Sequence, residues 1–150
     1  MGVFDKIAKD IFAYNLFGVL NKNKNSGGKN LQKTLSMKKY NLKVDGYEIY
    51  YTLILGSYEE FTKYYKKTYG EEWTIYCSGA VCRNLENKIT FFVDTDRKDI
   101  QGTIAHEACH LSWIVNDILK LDYKGFRYST QELQAYMIGS IVKQINKKIK

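Results

Sequence analysis

A chain of 150 residues, 45% apolar and 26% charged, has the size and composition of one globular domain with room for a real core. No apolar run reaches membrane-spanning length and no secretory pattern opens the sequence, so a cytoplasmic chain without a membrane span is expected. The net charge of +7 is nearly all lysine, scattered along the chain without a nucleic-acid-binding motif, which disfavours nucleic acid as a partner.

The chain opens Met-Gly, but Lys6 stands where an acylation motif wants Ser or Thr. Phe4, Ile7, Ala8, Ile11, Phe12 and Leu16 recur at helical spacing and predict an amphipathic helix over 1–20, suited to docking on a larger assembly. Residues 21–30, polar with two adjacent glycines, read as a flexible linker, and residues 31–150 as the main domain. Residues 41–55 read as a hairpin turning at Asp45-Gly46. Ser57-Tyr-Glu-Glu60 fits a capping box that opens a helix running to Tyr69 and stopping at Gly70. Two further strands are expected at Trp73–Cys77 and Lys88–Asp94, with turns or a bulge at Ser78-Gly79-Ala80 and over 84–87. The stretch Ile89–Val93 is a candidate border of a cleft, where a substrate strand can add to a free edge. Cys77, Cys82 and Cys109 read as reduced, mostly buried thiols; the spacing of the first two is wider than a zinc or redox pair uses.

Asp94, Asp96 and Asp99 suit the positive start of a new helix, on which Ile100, Ile104, Ala108, Leu111, Val115 and Ile118 mark a core stripe. Nearly opposite that stripe lie His106 and His110, with Trp113 and Asp117 on the same side. His106-Glu107-Ala-Cys-His110 matches H-E-x-x-H and contains both histidines of the chain. One helical turn apart, the two imidazoles can share one zinc ion, and Glu107 can act as general base on a metal-bound water. A catalytic zinc takes three protein ligands, and no third histidine exists. Among Asp117, Asp122 and Glu132, Asp117 is too far along the helix and suits a role behind a ligand. Glu132 opens the last helix, whose core stripe is Leu133, Met137, Ile141, Ile145 and Ile149. Ala135 and Gly139 are small enough to let that helix approach the histidine helix. The competing role for Glu132 is a capping box with Ser129. Tyr136 and Tyr128 are candidate donors to a developing oxyanion.

His-Glu-Ala-Cys-His, followed by Glu132-Leu-Gln-Ala-Tyr136-Met-Ile-Gly139, resembles the small zincin-like, gluzincin-type metallopeptidases of phages and mobile elements. The resemblance covers residues 88–145 and implies His106, His110 and Glu132 as zinc ligands and Glu107 as general base. It also implies an α+β zincin-like fold, a small antiparallel or mixed sheet against the H-E-x-x-H helix and a C-terminal helix, with the N-terminal helix as an addition. Hydrolysis of a peptide or protein substrate in the host cytoplasm or a virion is the implied activity. The alternatives are a zincin-like assembly module with little activity and a basic nucleic-acid-binding protein with structural zinc.

Overall fold

The computed structural model describes residues 37–121 and 128–149. The helix expected over 1–20, the linker over 21–30 and Asp122 lie outside them. The architecture is α+β, a mixed four-stranded sheet with helices on both faces. Strands β1 (Lys38–Lys43), β2 (Tyr50–Gly56), β3 (Gly79–Arg83) and β4 (Ile89–Asp94) lie in the order β1-β2-β4-β3. Among the described residues only the β2–β4 pair is parallel. The helices are α1 (Tyr58–Tyr69), α2 (Ile100–Ile118) and α3 (Tyr128–Ile149). No helix among the described residues is long and apolar enough to cross a membrane.

Local chemistry accounts for the first half. At the hairpin, Gly46 has φ +83° and Tyr47 N–H donates to the Val44 carbonyl at 3.1 Å, closing a turn around Asp45-Gly46. Lys43 pairs with Tyr50, so the connection is six residues long, not the two-residue turn expected. In α1 the capping box forms as read: Ser57 Oγ accepts from Glu60 N–H at 3.3 Å and Ser57 N–H donates to Glu60 Oε2 at 2.9 Å. Gly70 ends the helix in the left-handed region at φ +75°.

The strand expected at Trp73–Cys77 does not form; the strand is Gly79–Arg83, which begins within the expected turn or bulge at Ser78-Gly79-Ala80. Two causes act together. β3 pairs antiparallel with β4 from Gly79↔Val93 onward, and Asp94 N–H to the Ser78 carbonyl at 2.8 Å is the last rung. β4 then leaves the sheet, so residues before Ser78 have no strand to pair with. Meanwhile the Ile75 carbonyl is taken by side chains, the Tyr58 hydroxyl at 3.2 Å and the Trp73 indole N–H. The Trp73 ring packs edge-on against Phe61 at 5.4 Å and Tyr65 at 5.0 Å.

Strand alternation sends successive side chains to opposite faces. Ile54, Phe92, Ala80 and Cys77 meet Phe61 of α1, with Phe61 and Phe92 stacked at 4.1 Å. Leu53, Leu55, Phe91, Val93 and Val81 face α2 and α3. From α2 come Ile104, Ala108, Leu111, Ile114 and Val115, and from α3 Met137, Ile141 and Ile145. Leu133 is 43% exposed, so the core stripe of α3 starts one turn later than expected. Ala135 and Gly139 also face solvent, and nothing lies within 4 Å of a Cβ at Gly139. The approach of α3 to α2 rests instead on the apolar stripe and on Gln134 Nε2 donating to Ser112 Oγ at 3.4 Å.

A polar clamp ties α3 to the hairpin. Gln144 Nε2 donates to the Lys43 carbonyl at 3.1 Å and to Asp45 Oδ1 at 2.6 Å. Its Oε1 accepts from the Tyr51 hydroxyl at 3.2 Å, and Ser140 Oγ donates to Asp45. These bonds join residues more than ninety positions apart.

Candidate metal centre

The motif helix α2 starts where read: Asp99 is its N-cap, accepting from Gly102 N–H at 2.8 Å. Thr103 Oγ1 donates to the Asp99 carbonyl at 2.9 Å and contacts Ser78 Oγ at 3.2 Å, joining the first turn to the entrance of β3. Gly79 permits this junction. A Cβ there would lie 2.5 Å from Thr103 Cγ2, 2.8 Å from Glu107 Cγ and 3.1 Å from the Phe92 carbonyl oxygen. Gly79 is thus a close-approach glycine in a strand, not a turn glycine.

The helix brings His106 and His110 together as the four-residue spacing predicts. Their Nε2 atoms are 3.1 Å apart, with ring centroids 4.8 Å apart and the rings steeply inclined. Two nitrogens on one tetrahedral zinc, each about 2.0–2.1 Å from it, sit roughly 3.3–3.4 Å from one another. The pair fits that spacing to a few tenths of an ångström. His106 is exposed and His110 half-buried. Burial, then the neighbouring His106, lowers the His110 pKa, which favours the neutral ring that a metal needs. Trp113, 46% exposed, sets its ring edge-to-face with His110 at 5.2 Å and limits the imidazole's rotation.

Glu107 is 7% exposed and makes no hydrogen bond or ion pair with any described residue. Burial alone pushes its pKa up to about 8. In the metal-free chain the carboxyl therefore keeps its proton at neutral pH, and a cation placed beside it would lower that value.

The other expected residues are placed differently. Glu132 is half-buried near the start of α3, and no group of three or more His, Cys, Asp or Glu comes together among the described residues. Its capping partner is also displaced: α3 begins at Tyr128, which puts Ser129 inside the first turn. Asp117 does not stand behind a histidine. It pairs with Arg83 of β3 at 2.8 Å, and that guanidinium holds its carboxyl below the usual range. Tyr136 is 75% exposed; the side chain of Tyr128 lies outside what the structure describes. β4 is a central strand, buried and paired on both sides, so it offers no free edge. Among the described residues the open edge nearest the motif belongs to β3. Cys77 is buried, with its thiol pushed up to about 12, while Cys82 and Cys109 are half-buried and all three are free. Sequence reasoning missed Gly79 as the seat of the motif helix and Thr103 as the residue of that helix packed on it, because their contact joins distant segments.

Comparison of the chain with protein-family models, with curated proteins and with solved structures returns no match.

Proposed function

We propose that the chain is a zinc-dependent metallopeptidase with a zincin-like, gluzincin-type site, related to the small enzymes of phages and mobile elements. The observation that carries the reading is one juxtaposition. Two imidazole nitrogens lie at chelating distance, and the residue that follows the first of them is a buried carboxyl with no balancing charge among the described residues. A structural metal site has no use for that carboxyl, whereas a hydrolytic one needs a base there.

His106 and His110 would hold the ion, and Glu132, which the metal-free chain does not gather with them, would be the third ligand. A zinc ion held there would supply a water of lowered pKa and a Lewis acid for the scissile carbonyl. Glu107 accepts the proton of the attacking water and returns it to the leaving amine. Trp113 and the Thr103–Ser78 contact keep the histidine face and the β3 entrance in fixed relation.

Metal analysis of the purified chain, with peptide-library cleavage by the parent and Glu107→Ala, tests this. About one zinc per chain in both proteins, with cleavage lost in the variant, is the expected result. Absence of zinc at neutral pH, or unchanged zinc affinity in Glu132→Ala, overturns the ligand set. That Glu132 is not gathered with the histidines favours a second reading, a zincin-like assembly module. Zinc bound without cleavage of any library peptide selects it.

A further inference from the structure

The face of the sheet toward α1 changes character along its length. Three cross-strand rows are set by register: Lys39–Ile54–Phe92, then Asn41–Thr52–Thr90, then Lys43–Tyr50. α1 covers the apolar part of the first row. Beyond it lies a groove of about 560 Å³, floored by Thr52 and Thr90 and bordered by Tyr64 and Thr68 of α1, Tyr50, Lys39 and Lys88. That volume lies within the range of roughly 300–1,000 Å³ typical of ligand sites. The groove opens from this face around the end of the sheet, where Glu48, Tyr51, Ile89 and Ile118, the last residue of α2, also line it.

Tyr50 is 58% exposed, unusually open for an aromatic ring on a sheet. Lys43 Nζ stands 5.7 Å from its ring centre, and Lys39 Nζ stands 5.2 Å from that of Tyr64. Lys39 has no carboxylate partner among the described residues. Lys43 and Lys88 pair with Glu48 and Glu86, but all four side chains are well exposed, and such pairs exchange readily for another anion. Lysines scattered in the sequence at 39, 43 and 88 are gathered by the fold around aromatic rings and a hydroxyl-lined floor. Aromatic faces flanked by cations along a groove are what single strands of nucleic acid use, bases on the rings and phosphates on the cations.

We propose that this groove binds a short run of single-stranded nucleic acid, with Tyr50 and Tyr64 as stacking surfaces and Lys39, Lys43 and Lys88 neutralising phosphates. The binding is independent of the metal-site reading, because His106, Glu107, His110 and Glu132 do not line the groove.

Fluorescence anisotropy of the full chain with labelled ten-residue oligothymidylate, at 50 and 200 mM salt, tests it. Binding is expected to weaken by about fivefold or more in Tyr50→Ala and to stay within about twofold of the parent in Tyr50→Phe. Lys39→Ala should lower the slope of log affinity against log salt by about 0.7. His106→Ala should bind as the parent does, and so should Lys63→Ala, which removes the same charge outside the groove. No binding at 50 mM salt with protein at 100-fold over the probe and in the 100 µM range, on the order expected for non-specific contacts, overturns the proposal. So does equal weakening by Lys63→Ala and Lys39→Ala, or a folded Tyr50→Ala that binds normally. Thymidine monophosphate competing as well as the oligonucleotide makes the groove a mononucleotide site and overturns the strand reading.

Discussion

Replacing Gly79 by alanine tests how tightly the motif helix is seated on β3. The new methyl would lie 2.5 Å from Thr103 Cγ2 and 2.8 Å from Glu107 Cγ, against an ordinary carbon–carbon contact of about 3.5–4.0 Å. Thr103 cannot swing aside freely, since its hydroxyl is held by the Asp99 carbonyl and Ser78 Oγ. Overpacking of this kind costs about 1–3 kcal/mol. The backbone at Gly79 is not in the left-handed region, so alanine also restricts the unfolded chain and offsets about 0.4–1 kcal/mol. The net expectation is a loss of about 1–2 kcal/mol, read as a lowered urea midpoint at unchanged slope. Adding Thr103→Ser deletes the methyl at 2.5 Å and keeps the hydroxyl. The double variant should recover about half the loss, giving a coupling energy of about 0.5–1 kcal/mol between the sites. A Gly79→Ala protein as stable as the parent, or a Thr103→Ser that rescues nothing, refutes the close seating.

The metal-free chain should lose stability as pH rises. Glu107 keeps its proton up to about pH 8 when folded but releases it near 4.5 when unfolded, so the folded state binds the extra proton between those values. Stability therefore falls across pH 4.5–8 and levels off above. Glu107→Gln removes that decline, with a gain of up to about 5 kcal/mol at pH 8.5 and little change below pH 4.5. Urea titrations in chelator at the two pH values check it, and parallel profiles for both proteins exclude it. Phe61→Ala empties the stack on Phe92 and the contact with Trp73, and should cost about 3–5 kcal/mol by the same assay. Asp117→Asn breaks a half-exposed pair with Arg83; a loss below about 1 kcal/mol with unchanged zinc affinity is expected, and weaker zinc binding would restore Asp117 to the metal site.

Elements whose causes are local were legible in the sequence. Helix α1 carries both its caps within its own fourteen-residue stretch, and α2 combines the Asp99 cap with a core stripe, so both form where expected. The mutual position of His106 and His110 follows from helical pitch alone. The misreadings have distant causes. Trp73–Cys77 has strand composition, but its ladder partner ends at Asp94 and its aromatic ring belongs to Phe61 and Tyr65. Gly79 has the chemistry of a turn residue, and only the arrival of Thr103 and Glu107 shows why no side chain fits there. Which strand is central depends on the β2–β4 parallel pairing, which no local pattern of β4 encodes. For Glu132, helical periodicity places the residue on α3 but leaves open how far that helix's first turns stand from the histidines.

The clamp between Gln144 and the hairpin has a consequence for how the molecule is made. During synthesis the hairpin, α1, the remaining strands and the motif helix all emerge before α3, yet the face of Tyr51 and Val44 lacks its α3 partners until residues 137–145 leave the ribosome. Closing a loop of this length adds only modest entropy, but the contacts that reward it come last. A nascent chain stalled before α3 exposes that face to chaperones or to its own copies, so completion of the last helix is the step that commits the domain.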